Sequence, residues 1–262
     1  MTTVTARRKE QRASDAKAQA ASKTQRGKRR AADAALPRKT DAQKRRATEI
    51  YDALLECYPD AHCELDYTNP LELLVATILS AQALDSAVNK VTPALFKKFR
   101  TAADYAATSP QEIEPYINRI GLYRNKSKSI HGAMTMIVND FGGRVPDTMD
   151  DLLKLPGVAR KTANVVLGNA FNKNEGVVVD THVMRVGHRL RLTRETDPKK
   201  IERDLMALYP REHWCMLSHL LIFHGRRACR ARGALCNEHP VCVKYCANAK
   251  TSKRQNAGTS KR

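Results

Sequence analysis

Apolar residues along this chain recur every three to four positions and almost nowhere alternate, so the pattern predicts helices and no sheet. Ala47 to Tyr58 reads as the first stable helix, with Ile50, Leu54 and Leu55 on one face. Thr68-Asn69-Pro70 is a helix start, Pro at the first helical position, with Leu71, Leu74, Val75 and Ile78 behind it. Val88, Val91, Leu95 and Phe96 mark another, and residues 105–107, 113–120, 126–141 and 149–154 suggest four short ones. The run of 150–154 stops at Pro156-Gly157, and periodicity resumes near Ala159 with Ala163, Val166, Leu167 and Ala170. An amphipathic helix follows Asp180. Val177 to Val179 is too short and isolated to found a sheet. The reading is an all-α body.

Charge sharpens this picture through its distribution. The 262 residues carry a net charge of +19, of which residues 1–46 hold +11 and residues 250–262 hold +5, leaving +3 for the body. Such a chain has enough apolar content for a real core, no apolar stretch long enough to cross a membrane, and a preference for polyanions. The first 41 residues have no aromatic and little apolar content, which predicts a disordered basic arm adding non-specific affinity for a polyanion through counterion release. Residues 250–262 read as a second basic tail. No secretory signal stands out, so a cytoplasmic location is expected, nucleoid-associated in a bacterium.

Residues 155–166, Leu-Pro-Gly-Val-Ala-Arg-Lys-Thr-Ala-Asn-Val-Val, concentrate the candidate chemistry. Two helices joined by Pro156-Gly157 form a hairpin whose turn exposes backbone N–H groups, and Gly157 lets a phosphate approach closely. That is a sequence-independent phosphate grip. Lys161 falls in the first turn of the second helix, where the helix dipole and the neighbouring Arg160 favour the neutral amine that Schiff-base chemistry needs. Asp180, in Val179-Asp180-Thr181-His182, is a candidate carboxylate and also a candidate N-cap. Taken singly, each is as easily a solvated lysine or a simple cap.

Four of seven cysteines, Cys229, Cys236, Cys242 and Cys246, cluster within eighteen residues, which without a secretory signal reads as metal ligation: zinc or an iron–sulfur cluster. Cys57, Cys63 and Cys215 are scattered.

With hairpin, lysine, aspartate and cysteines together, the chain from about residue 42 to 249 resembles the helix-hairpin-helix Gly/Pro-Asp superfamily of DNA glycosylases. The resemblance implies two helical lobes around a DNA-binding cleft, with a helix-hairpin-helix motif and a C-terminal iron–sulfur loop. The central lobe would span 63–173, ending in the hairpin at about 149–170; the other would join 42–62 to 174–249. It implies that Lys161 attacks the sugar C1′ of a damaged nucleotide and that Asp180 assists base departure. Gln82 would fill the gap left by an extruded nucleotide, and Leu122 would wedge the opposite strand. Gly157, Ala159 and Arg160 of the hairpin, with Arg226 and Arg230 near the cysteines, would meet DNA phosphates. His182 and His224 fit as structural histidines.

The implied activity is that of a bifunctional glycosylase and AP lyase that acts, as a monomer, on duplex DNA bearing oxidised or ring-saturated pyrimidines or abasic sites. The alternatives are a non-catalytic iron–sulfur DNA-binding module and a monofunctional mismatch glycosylase, relatives of which usually lack the lysine. The resemblance favours a [4Fe–4S] cofactor, whose family spacing is Cys-x6-Cys-x2-Cys-x5-Cys. Here it is Cys-x6-Cys-x5-Cys-x3-Cys, with His239 where the third thiol is expected. Two other departures are Leu84 in place of a threonine near the pocket mouth, and Ala159 in place of a glycine. The second would cost about 1 kcal/mol if the turn demands positive φ there.

Overall fold

The computed structural model describes residues 35–247 and Ala249. The stretch Arg38 onward is one compact unit, distinct from Met1–Pro37. Most of the basic arm and the tail from 250 onward lie outside the described residues. Twelve α-helices and a 3₁₀ turn (Arg211–His213) make up the described body, and no strand occurs among the described residues.

The arm gives way to the body earlier than composition suggests. Helix α1 (Asp41–Cys57) begins six residues before Ala47 because Thr40 and Gln43 form a capping box, each side chain serving the other's backbone N–H. Lys39 pairs with Asp204, 165 residues away in sequence, so residues 39–41 belong to the folded unit.

Helices α2 (Pro70–Ser80), α3 (Asp85–Lys98), α4 (Ala102–Ala106), α5 (Pro110–Ile117), α6 (Tyr123–Phe141), α7 (Met149–Leu152) and α8 (Arg160–Ala170) enclose one apolar core. Its largest buried side chains include Leu73, Leu74, Tyr105, Ile113, Ile130 and Met134. Helix α1 returns to pack with α9 (Thr181–Arg189), α10 (Pro198–Leu208), α11 (Trp214–Arg227) and α12 (Pro240–Tyr245) around a second core centred on Ile50, Leu54, Val186, Leu205 and Leu221. Residues 172–180 connect α8 to α9 without regular secondary structure, carrying the chain from the first core to the second. Val177 is buried there, and the Val178 N–H bonds to the Ser218 hydroxyl at 3.0 Å rather than to another strand.

Candidate active site

The hairpin between α7 and α8 is a type II turn: Pro156 precedes Gly157 at φ +78°, and the Val158 N–H closes onto Leu155 O at 3.1 Å. A Cβ on Gly157 would lie 2.7 Å from the Ser129 Cβ of α6, so glycine is required by conformation and by packing. Ala159 is the N-cap of α8 at φ −96°, ψ 170°, ordinary extended backbone. The turn therefore makes no demand for glycine at 159, and the anticipated conformational penalty does not arise.

Lys161 is exposed on the first turn of α8. Asp180 is half-buried as the N-cap of α9, its carboxylate accepting from the Val183 N–H at 2.8 Å. Both act electrostatically on Asp85, the first residue of α3. Burial raises the Asp85 pKa above the ordinary carboxylate range, the Lys161 charge opposes that rise, and Asp180 adds to it.

Asp85 also lines a cleft of about 680 Å³ with Leu84, His182, Arg226 and Arg230 among its walls. Leu84 is 75% exposed at its mouth and caps α3 without a side-chain hydrogen bond.

Two loops flank this region. Ser80 to Ala83 form a second type II turn, closed by the Ala83 N–H onto Ser80 O at 3.0 Å, with Gln82 at φ 56° in the position that glycine usually takes. Leu122, 57% exposed, is the N-cap of α6 at φ 60°. Asn172 and Arg191 share the left-handed conformation, but each lies just past a helix end and completes its C-terminal hydrogen bonds. Gln82 and Leu122 are both exposed on loops and hold a conformation that costs a non-glycine residue roughly 1–2 kcal/mol.

The arginines are more engaged than their sequence positions suggest. Arg160 Nε faces both Glu202 oxygens at 3.0 and 3.1 Å, and its Nη2 donates to Glu175 O. It ties α8 to α10, so its charge is compensated within the protein. Arg226 is held between Glu64 and Asp85, the latter at 2.7 Å. Arg230 is exposed, its backbone carbonyl accepting from Arg189.

Past α11 the four clustered thiols act on one another. Hydrogen bonding from Cys242, joined by His224 and Arg189, holds the Cys229 thiol well below the usual range despite its burial. Burial first, then Cys246 and Cys229, raise Cys236. Arg189 Nη1 donates to Cys229 Sγ at 3.4 Å. Arg185 bonds to both Gly225 O (2.9 Å) and Cys229 O (3.0 Å), joining α9 to the root of the cysteine loop.

Residues 75–211 match the HhH-GPD superfamily of base excision DNA repair proteins. Endonuclease III of Synechocystis sp. is 53% identical over 217 residues, covering 83% of this chain and 99% of that protein. Endonuclease III of Bacillus subtilis is 45% identical, covering 80% of this chain and 95% of its own length. A solved endonuclease III trapped as a covalent intermediate with DNA, in an estranged-adenine complex, superposes with TM-score 0.76 at 43% identity, covering 80% of this chain and 99% of that one.

The chain belongs to the endonuclease III family. It is a DNA glycosylase and AP lyase of base excision repair. As an endonuclease III homologue it carries supporting residues that periodicity could not reveal. Lys126, 5% exposed on the first turn of α6, donates from Nζ to Leu79 O at 2.8 Å, and burial pulls its pKa down. Leu79 lies one residue before the turn bearing Gln82, while the Lys126 N–H bonds to Leu122 O at 3.0 Å. The buried ammonium thus braces the loop bearing Gln82, while the backbone of the same residue closes the first turn after Leu122. Replacing Lys126 by methionine is expected to slow processing of a base-paired lesion about tenfold more than cleavage of an abasic site, where no base needs extrusion. Equal losses on the two duplexes in single-turnover assays would refute that bracing role.

Proposed function

We propose that this enzyme removes oxidised or ring-saturated pyrimidines from duplex DNA through a Schiff base on Lys161. What supports the assignment is that Lys161, on the first turn after the hairpin, and Asp180, the N-cap of α9, both act electrostatically on Asp85, which lines the cleft. The Nζ lone pair attacks C1′, the glycosidic bond breaks, and the base departs with a proton. Opening of the sugar ring leaves an imine; loss of a C2′ proton then expels the 3′ phosphate by β-elimination. Asp180, fixed by its cap bond, assists proton transfer and faces the developing positive charge. Gln82 and Leu122 occupy the space left in the stack, and the backbone N–H groups at Gly157 and Ala159 hold a phosphate. Damaged pyrimidines with a saturated ring stack poorly, which lowers the cost of extrusion.

Cys229, Cys236, Cys242 and Cys246 are the proposed ligands of a [4Fe–4S] cluster. Their mutual electrostatic influence and the Arg189 donor to Cys229 supply four soft ligands and an outer-sphere hydrogen bond. The bound group supplies a structural crosslink for the loop bearing Arg230 and Arg232. Protein prepared anaerobically is expected to hold about four iron and four sulfide per chain, by cubane stoichiometry; iron-free protein containing four-cysteine zinc would overturn the assignment.

Borohydride trapping on a duplex carrying thymine glycol tests the reaction directly. A covalent adduct with the wild-type chain supports the Schiff-base route. Absence of an adduct on both that duplex and an abasic-site duplex would instead favour a binding module or a monofunctional glycosylase.

A further inference from the structure

His239 stands where the family spacing expects a cysteine, and the structure gives its imidazole a specific setting. The Tyr58 hydroxyl lies 3.1 Å from His224 Nδ1 and 2.9 Å from His239 Nε2, so one phenol engages the outer nitrogen of each ring. The remaining nitrogens are His224 Nε2, 3.4 Å from Cys242 Sγ, and His239 Nδ1, which is buried and has no hydrogen-bond partner among the described residues. One ligand atom from each of His224, His239 and Cys242 lies within 4.8 Å of the others. Cys229 acts electrostatically on this trio and accepts from Arg189 Nη1 at 3.4 Å, so it would have to close onto the ion as the fourth ligand.

Bonds of about 2.0–2.3 Å around a tetrahedral zinc place its ligand atoms roughly 3.5 Å apart. Two sulfurs and two imidazoles, each ring oriented from outside by a hydrogen bond, form a donor set suited to that ion. We propose that, in the chain lacking its iron–sulfur cluster, Cys229, Cys242, His224 and His239 hold a single Zn²⁺. This rests on the cluster assignment in one respect: the two occupants compete for Cys229 and Cys242. Zinc binding displaces the thiol protons, and the two thiolates balance the ion's charge. Cys236 and Cys246 belong only to the cluster, and the two histidines belong only to the zinc site. The loop bearing Arg230 therefore has a second means of staying folded.

The experiment uses the full chain, stripped of iron and sulfide by chelation, then titrated with Zn²⁺ and separately with Co²⁺ as a spectroscopic probe. One ion per chain is expected, with a cobalt spectrum of tetrahedral two-sulfur, two-nitrogen ligation. The double variant Cys236→Ser/Cys246→Ser should keep this site while failing to assemble a cluster. His239→Ala should do the reverse, losing tenfold or more in zinc affinity while still taking up iron and sulfide. Tyr58→Phe leaves every ligand in place and is expected to weaken zinc by about 10–100-fold. A four-sulfur cobalt spectrum that disappears in Cys236→Ser/Cys246→Ser would overturn the proposal, as would binding below one ion per chain. Failure of the cluster assignment shows up separately, as wild-type protein that reconstitutes no cluster.

Discussion

Lys161→Ala is expected to abolish the borohydride-trapped adduct on both lesion and abasic-site duplexes, with strand cleavage falling by roughly 10³-fold or more. Neither Arg160 nor Lys126 can take over. Arg160 is turned onto Glu202 and cannot act as a nucleophile, and Lys126 is buried with its Nζ on Leu79 O. Because Lys161 is exposed, the variant should fold and bind DNA nearly as well as the wild type. Binding by fluorescence anisotropy and trapping on the same duplex separate these outcomes. Persistent trapping in Lys161→Ala would place the nucleophile elsewhere.

Gly176→Ala should strongly destabilise the body. A Cβ there would stand 2.0 Å from Glu202 Oε1 and 2.6 Å from Asn164 Nδ2. Those atoms are bonded to each other at 2.9 Å, and Glu202 also accepts from Arg160, so the methyl group displaces the carboxylate from both partners. Breaking such an arrangement is expected to cost about 2–4 kcal/mol, discounted because Arg160 is partly exposed. Urea unfolding should show a lowered midpoint with an unchanged slope. A change below about 0.5 kcal/mol would mean that the carboxylate can move without penalty.

The legible parts of the site were those with a local cause. Pro156-Gly157 admits few backbone solutions, so the turn followed from two residues, and Asn69-Pro70 announced the start of α2 in the same way. Asp180 as a cap needed only its place before an amphipathic helix. Asp85 opens α3, but the influence of Lys161 and Asp180 upon it depends on three helices meeting. The ion pairs of Arg160 and Arg226 join residues 42 and 141 or more positions apart, beyond the reach of any periodicity. Lys126 is harder still: its residue type predicts exposure, and only the neighbouring end of α2 makes burial tolerable. The capping box at Thr40 and Gln43 was available in the sequence, as were the apolar positions Ile201, Leu205 and Leu208 that define α10.

The left-handed backbones at Gln82 and Leu122 set endurance against turnover. Glycine at either position would relieve conformational strain in the free protein, yet remove the side chain that meets the opened helix. Selection for a hardier fold would thus erode the enzyme at these two loops first, and a thermally improved variant carrying either glycine would search DNA as before while opening it poorly.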